Sequence, residues 1–327
     1  MTPPAVMPPV APPVAESAHG VERLPLSAED RLNLQLQGEY EGVVVSQVGG
    51  LGGVSTAGLQ VVSLAGNRFS GVLFPGGLPG TGWRQGVTFR STGSRESSDR
   101  LEMRGEALVI RVTPAGATVH DERGTLLAQL DRVRRRSSTM GLAAPPGARV
   151  LFDGTSTAAF HNGRIDSDGH LMVGTELVDL HQNFAMHAEF RIPYMPEKAE
   201  QARGNSGIYL QSRYEVQILD SFGLPRAFNE CGSLYRQRTP EINMCLPPTA
   251  WQTYDLRFRS PIFNQQGQKL ENARLTVWHN GVLVQDNIEV LTKTGAGQPE
   301  GPELLPIRFQ DHGDPVVFRN VWIFDQP

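Results

Sequence analysis

One segment constrains the fold more than any other: Tyr214-Glu215-Val216-Gln217-Ile218-Leu219-Asp220 reads as a β-strand with two chemically different faces. Successive side chains of a strand point to opposite sides, so Val216 and Ile218 share one face and Glu215 and Gln217 the other. The first face suits a hydrophobic core. The second must meet water or line a groove, because an unpaired buried carboxylate is very costly. Strict alternation places Asp220 on the apolar side, so either the strand ends in an Asp-Ser turn or a bulge swings Asp220 round. With the bulge, one strand offers two carboxylates and an amide to a single cleft.

The same alternation recurs. In Asn205 to Gln211, Ile208 and Leu210 oppose Asn205, Tyr209 and Gln211. From Phe184 to Ile192, the stripe Phe184, Met186, Ala188, Phe190 and Ile192 opposes His187, Glu189 and Arg191; further on, Ile307 and Phe309 oppose Arg308, Gln310 and His312. Such strands build antiparallel sheets with one apolar and one polar side. The polar sides are rich in Glu, Gln, Arg, His and Tyr, a composition found on sugar-binding sheets and on plain solvent-facing ones.

Helix-period runs are nearly absent, and Gly (35) and Pro (24) are abundant among the 327 residues, so an all-β fold is expected. The modest helix candidate lies around Ser27 to Gln37, with Ser27 as cap, and its apolar spacing fits a strand as well. Net charge is −4, which gives no basic face for nucleic acid; the cluster Arg132 to Arg136 reads as a solvated strand end or linker. No run of about 18 apolar residues could span a membrane. Met1 to Ala15 is Pro-rich and lacks the apolar core of a signal peptide. It suits an extended tether, as in an exported protein without its leader or a cytosolic protein with a disordered tail. The only cysteines, Cys231 and Cys245, have no further Cys or His close enough in sequence for a four-ligand zinc site. A disulfide closing their loop of about 15 residues would contribute roughly 3 kcal/mol and would indicate the periplasm or exterior.

Four regions follow: a tether over 1–33, a small β domain over 34–130, a linker over 131–147 that ends Ala143-Ala144-Pro145-Pro146-Gly147, and a second β domain over 148–327. In the first β domain, Gly58 to Leu64 and Phe69 to Phe74 flank a four-residue hairpin loop, and Ala107 to Val112 and Ala117 to His120 are further strands. It shows no catalytic constellation. The second reads as a two-sheet sandwich or jelly roll.

Taken in order, Leu151-Phe152-Asp153-Gly154-Thr155-Ser156, Phe190-Arg191, Asn205-Ser206-Gly207-Ile208-Tyr209, Tyr214 to Asp220, Asn280-Gly281, Phe309-Gln310-Asp311-His312-Gly313 and Phe318-Arg319-Asn320 resemble the 3-keto-disaccharide hydrolase domain family. The resemblance covers about residues 148 to 326 and implies a concanavalin A-like jelly roll that binds a sugar oxidised to a ketone at carbon 3. The ketone acidifies the proton on carbon 2. A base removes it, the group on carbon 1 leaves by elimination, and water adds to give the free 3-keto sugar. That chemistry needs a base, a group stabilising the enolate oxygen and an acid at the leaving oxygen. Glu215, Asp220 and His312 are the catalytic candidates; Arg191 and Arg308 could supply positive charge; Asn205, Tyr209, Gln211, Gln217 and Gln310 complete the expected sugar-binding set. A divalent metal held by such oxygen and His ligands is an alternative electrophile, though no ligand spacing compels one.

Retaining glucanases similar in fold carry Glu, Asp and Glu at positions i, i+2 and i+5 of a bulged strand. Here those positions hold Glu215, Gln217 and Asp220. The missing central carboxylate and the shorter last one disfavour direct displacement, which needs carboxyl groups roughly 5–5.5 Å apart. Bland roles compete elsewhere: His312 as a turn residue, Arg319 in a structural ion pair, Asp153 as a turn cap, and Trp251, Trp278 and Trp322 as core. A non-catalytic carbohydrate-binding or cell-surface module on the same fold is the rival reading, since a fold does not fix a function.

Overall fold

A computed structural model describes residues 14–15, 26–46, 51–83 and 85–326. Most of the Pro-rich stretch and of the expected tether lies outside the described residues. Ser27 opens a helix, Ala28–Leu36: its Oγ accepts the Asp30 N–H at 3.0 Å while the Asp30 carboxylate accepts the Ser27 N–H at 3.0 Å. Such a capping box is worth about 1 kcal/mol and settles helix over strand. Leu36 enters the neighbouring core, and Asn33 donates to Gly66 O and accepts from Arg95 Nε. The helix thus docks beside the turn between two barrel strands.

Eight antiparallel strands follow in simple succession, from Gly38–Val44 to Leu126–Val133, and these two pair with each other to close a barrel. Its interior is filled by Tyr40, Leu59, Val61, Phe69, Leu73, Met103, Ile110, Val119 and Leu130 among others, as an eight-stranded barrel of this size allows. The hairpin around Ala65 to Asn67 forms as its sequence suggests. Phe89–Arg95 is also a strand, although Phe-Arg-Ser-Thr-Gly-Ser-Arg shows no apolar alternation. Closure recruits it. Gly93 makes this possible, since a Cβ there would lie 1.9 Å from Glu102 O.

The second unit is a sandwich. One sheet runs Arg149–Phe152, Val317–Asp325, Phe184–Arg191, Trp251–Arg259, Ala273–His279, Val282–Val290, with Leu171–Met172 also on Val317–Asp325. The facing five-stranded sheet runs Phe160–His161, Thr175–Leu177, Arg308–Phe309, Ser206–Leu210, Tyr214–Ile218. Their apolar faces meet in one core that contains Phe184, Met186, Ala188, Phe190, Ile208, Leu210, Val216, Ile218 and Phe309, the stripes read from the sequence. The fold is all-β with a jelly-roll-like sandwich. Asp153 caps its opening turn, its Oδ1 accepting the Thr155 N–H at 3.0 Å.

Barrel and sandwich are joined by contacts as well as by chain. Val62 of the barrel belongs to the sandwich core, and Ser63 Oγ bonds Tyr194 OH at 2.8 Å. Arg135, buried, grips the Glu39 carboxylate with two nitrogens and donates to Pro79 O. Arg132 donates to the carbonyls of Leu34, Gln35 and Gln37. Arg132 and Arg135 are therefore built into the structure, while Arg134 and Arg136 stay exposed as the sequence suggests. After this cluster, residues 137–142 lie along the outer face of the seven-stranded sheet, bonded to Thr253, Asp255 and Glu189.

The expected disulfide is corrected. Cys231 and Cys245 are free thiols, both fully buried in the sandwich core. Cys231 Sγ lies 3.2 Å from Tyr254 OH, and burial pushes the Cys245 thiol well above its usual range, so the pair packs as small neutral apolar side chains. The cysteines consequently carry no argument for an oxidising compartment. Among the described residues, no helix is long and apolar enough to cross a membrane.

Candidate active site

The polar faces of Ser206–Leu210 and Tyr214–Ile218 lie side by side, with Tyr209 directly opposite Glu215 and Gly207 opposite Gln217. Over them opens a pocket of about 230 Å³ lined by Gln201, Asn205, Tyr209, Glu215, Gln217, Tyr235, Arg236, Gly295, Ala296, Gln310 and His312. The structure brings together Glu215, His312, Asn205, Tyr209, Gln217 and Gln310 of the residues expected from sequence.

Glu215 is the centre of it. Its backbone is held from both sides, the N–H donating to Thr294 Oγ1 at 2.8 Å and the carbonyl accepting from Tyr235 N at 3.1 Å. The Tyr209 hydroxyl donates to Oε2 at 2.7 Å. The Gln217 amide, turned so that its nitrogen faces Glu215, donates to Oε1 at 3.1 Å and to Ser206 O at 2.8 Å. The carboxylate lies over Gly207, where a Cβ would come within 2.7 Å of Oε1; a Cβ on Gly295 would crowd the Tyr235 ring at 3.0 Å. Two glycines thus leave the space the carboxylate faces. A carboxylate has about four lone-pair sites, so two donors orient it and leave it basic.

Burial pushes the Glu215 carboxyl up to about 7, with the Tyr209 hydroxyl and the Arg308 charge restraining the rise. A group poised near neutral pH can take and return a proton. Arg308 stacks its guanidinium 4.4 Å from the Tyr209 ring centre, at the cross-strand position next to Tyr209. Asn205 is fixed by its own donors, N–H to Asp314 Oδ2 at 2.8 Å and Nδ2 to Gln201 O at 2.7 Å. That leaves Asn205 Oδ1, like Gln310 Oε1, without a partner among the described residues. Two unpaired acceptors in one pocket suit a ligand rich in hydroxyl donors. His312 is exposed at the rim, in a turn where Asp311 accepts the Gly313 N–H.

Three expected site residues lie elsewhere. The strand ends at Ile218 without a bulge; Asp220 points to Arg203, whose Nε donates to it at 2.7 Å, in a buried ion pair. Gln211 occupies the turn between the two strands at φ 49° and donates to His181 O and Ser260 Oγ. Arg191 stacks on Trp251 at 4.8 Å on the outer face of the other sheet. Arg319 pairs with Glu189 at 2.7 Å, and neither Trp251, Trp278 nor Trp322 lines the pocket. Gln201, Tyr235, Arg236, Gly295 and Ala296 were not read from sequence. The run Thr294-Gly295-Ala296-Gly297, small enough for close backbone approach, was the available signal.

For a divalent metal, the pocket offers Glu215 and His312 as ionisable ligands. Among the described residues, the one group of three His, Cys, Asp or Glu with ligand atoms within 4.8 Å is Asp166, Asp168 and His170, outside the pocket. Asp166 is there engaged by the N–H groups of Asp168 and His170. The pocket residues do not form such a set.

Sandwich and pocket together define an all-β, jelly-roll-like protein with a polar pocket on one sheet. The 3-keto-alpha-glucoside-1,2-lyase-like domain family matches residues 147–324, more than half the chain, and the chain belongs to that family. Among solved structures, a Parabacteroides distasonis protein provisionally described as a glycosyl hydrolase is 33% identical, with a TM-score of 0.52, over 55% of this chain and 84% of that one. A second protein of that organism with the same description is 21% identical, TM-score 0.41, over 55% of this chain and 94% of that one. No curated protein matches.

Proposed function

We propose that the sandwich is a glycosyl-hydrolase-like enzyme that cleaves 3-keto-glycosides by elimination and hydration. The observation that carries this is Glu215: a carboxyl on the pocket floor, oriented by Tyr209 and Gln217, with its acidity shifted to about 7. Glu215 takes the proton from carbon 2, whose electrons form the enolate across carbons 2 and 3. Collapse of the enolate expels the oxygen on carbon 1, which takes a proton from His312, and leaves an unsaturated ketone. Water then adds at carbon 1, its proton going back to His312, and Glu215 returns its own proton to carbon 2. Arg308 supplies positive charge beside the developing enolate, and His312, at the rim, suits the leaving oxygen. Asp220 has no part in this, because its carboxylate is committed to Arg203. Family membership and the Parabacteroides relative support the same reading.

The test is product formation by NMR from 3-keto-trehalose and 3-keto-glucosides beside their unoxidised parents. Release of 3-keto-glucose from the oxidised substrates alone, abolished in Glu215→Gln with ligand affinity retained, is expected. Turnover of the unoxidised parents, or undiminished turnover by Glu215→Gln, refutes the mechanism.

A further inference from the structure

The glycine-rich run Pro75 to Trp83 has no part in the Glu215 pocket. It borders a second cavity instead. This one lies between barrel and sandwich, measures about 350 Å³ and shares no lining residue with the first. Its size and its place at a junction are those of small-ligand sites. Cross-strand register builds the barrel wall: Glu39 is opposite Gln60, Gln60 opposite Val72 and Val72 opposite Arg90. Directly paired residues share one face. Their neighbours Leu59, Val61 and Leu73 fill the barrel interior, so the row faces outward.

The glycine-rich run is held rigidly beside that wall. Glu41 Oε1 accepts the Leu78 N–H at 3.0 Å and the Thr81 hydroxyl at 3.2 Å. Gly82 sits where a Cβ would lie 2.0 Å from Gly76 O. The buried Arg135–Glu39 pair anchors two lining residues, since Glu39 accepts Gln60 Nε2 at 3.0 Å and Arg135 donates to Pro79 O. Trp83 is thereby set edge-on against Phe74, with ring centres 5.2 Å apart. From the sandwich side, Arg226 closes the cavity by donating to Pro240 O at 3.1 Å and to Gln85 Oε1 at 3.3 Å.

The chemistry of this cavity is one-sided. Trp83 Nε1 is buried without an acceptor among the described residues. The Arg90 guanidinium, lining the same cavity, has no bond to protein there either; Glu106 accepts the Arg90 backbone N–H at 3.1 Å instead. Arg226 adds a second positive charge, and none of the described lining residues is acidic. A buried donor left unpaired is costly, so an acceptor brought by a ligand is favoured. We infer that the cavity binds a small ring-bearing carboxylate. The two carboxylate oxygens answer the two unspent donor groups, Arg90 and the Trp83 N–H, and the ring packs on Trp83, Phe74 and Val72. A neutral ligand would leave both guanidinium charges without a counter-charge. The site is independent of the reaction at Glu215.

The experiment is calorimetric titration of the full chain with glucuronate and benzoate, beside their neutral counterparts glucose and benzyl alcohol. It is repeated with Arg90→Gln, Trp83→Phe and Glu215→Gln, each checked by thermal melting. Expected is that at least one acid binds about tenfold or more tighter than its neutral counterpart, the worth of a charge-assisted bond. Arg90→Gln and Trp83→Phe, which keeps a ring but removes the N–H, should each weaken it by roughly fivefold or more. Glu215→Gln should leave it unchanged. Binding of glucuronate alone identifies a sugar acid, and binding of benzoate alone an aromatic one. If Trp83→Phe does not fold, Arg90→Gln decides, because Arg90 is exposed. No binding of either acid at millimolar concentration, no preference over the neutral counterparts, an affinity untouched by either cavity substitution, or its loss in Glu215→Gln overturns the site.

Discussion

The pocket face of the five-stranded sheet and the outer face of the seven-stranded sheet begin from the same pattern, apolar residues alternating with Glu, His, Arg and Gln, and end as opposites. On the outer face, residues 137–142 cover the polar side chains and satisfy them. His187 lies 2.7 Å from Asp255 and stacks on Trp322; Asn320 and the Gly141 N–H donate to Glu189, and Arg319 closes the set. Burial alone would push Glu189 up, but bonds from His187, Asn320, Arg319 and Gly141 bring it down to about 2. Burial would likewise lower His187, but Asp255 and Glu189 raise it to about 9. In the pocket, Glu215 is buried with hydroxyl and amide donors and, among the described residues, no ion pair, and its carboxyl goes the other way. The lesson is that the sign of a carboxylate's shift follows from the donors around it: sheet neighbours His187, Asn320 and Arg319, joined by the strap's Gly141 N–H, pull Glu189 down, and a pocket that offers only hydroxyl and amide donors leaves Glu215 raised by its burial.

The largest expected effect tests this contrast directly. Glu215→Gln should lower kcat by roughly 10²- to 10⁴-fold, the usual worth of a positioned base, measured as 3-keto-glucose release. It should also stabilise the fold. Because the folded carboxyl sits above its unfolded value, its ionisation opposes folding as pH rises from about 4.5 through 7. Urea midpoints at pH 8 should therefore show a gain of up to about 3 kcal/mol.

Glu189→Ala should do the reverse: a loss of about 3–5 kcal/mol, because Arg319 loses its buried partner and His187 is left with Asp255 alone, with turnover per folded molecule retained. Loss of turnover with unchanged stability would collapse the distinction between clamp and base.

The pH dependence of stability follows with sign. His187 contributes fully below about 6.5 and loses its contribution as pH rises through about 9; Glu189 contributes fully above about 4.5 and loses it as pH falls through about 2. The wild-type optimum should fall near pH 5–6, and thermal melts across pH 3–10 would show it. Gly207→Ala, which pushes a methyl group against Glu215 Oε1, should lower kcat/KM by about tenfold through misplacement of the carboxylate. Tyr209→Phe has the smallest expected effect. It removes a bond that favours the ionised carboxylate, so the alkaline rise of kcat/KM should move from near 7 to higher pH.

Much of the fold was legible because alternation is local. The stripes at Phe184 to Ile192 and Tyr214 to Ile218, the Asp153 turn and the Ser27 cap depend on neighbours within a few residues. So did half the site: Asn205, Tyr209, Glu215, Gln217, Gln310 and His312 sit on strand faces or the turn beyond, where period 2 can place them. Asp220, Gln211 and Arg191 follow the same patterns but lie elsewhere, since sequence spacing cannot say where a strand stops, which turn a residue enters or which sheet a strand joins. Tyr235, Arg236 and Gly295 come from loops whose path is set by tertiary contacts, Tyr235 N–H on the Glu215 carbonyl and Thr294 Oγ1 on the Glu215 N–H, the latter spanning 79 residues.

The sequence by itself determined that this chain is all-β, which side chains share each strand face, and that Glu215 belongs to a polar one. Only the tertiary structure decided which polar face would be sealed by residues 137–142 and which would stay open. It therefore decided that Glu189 is a clamped anion and that the Glu215 carboxyl is shifted to about 7, because the energy of a buried charge depends on the donors brought to it from distant parts of the chain.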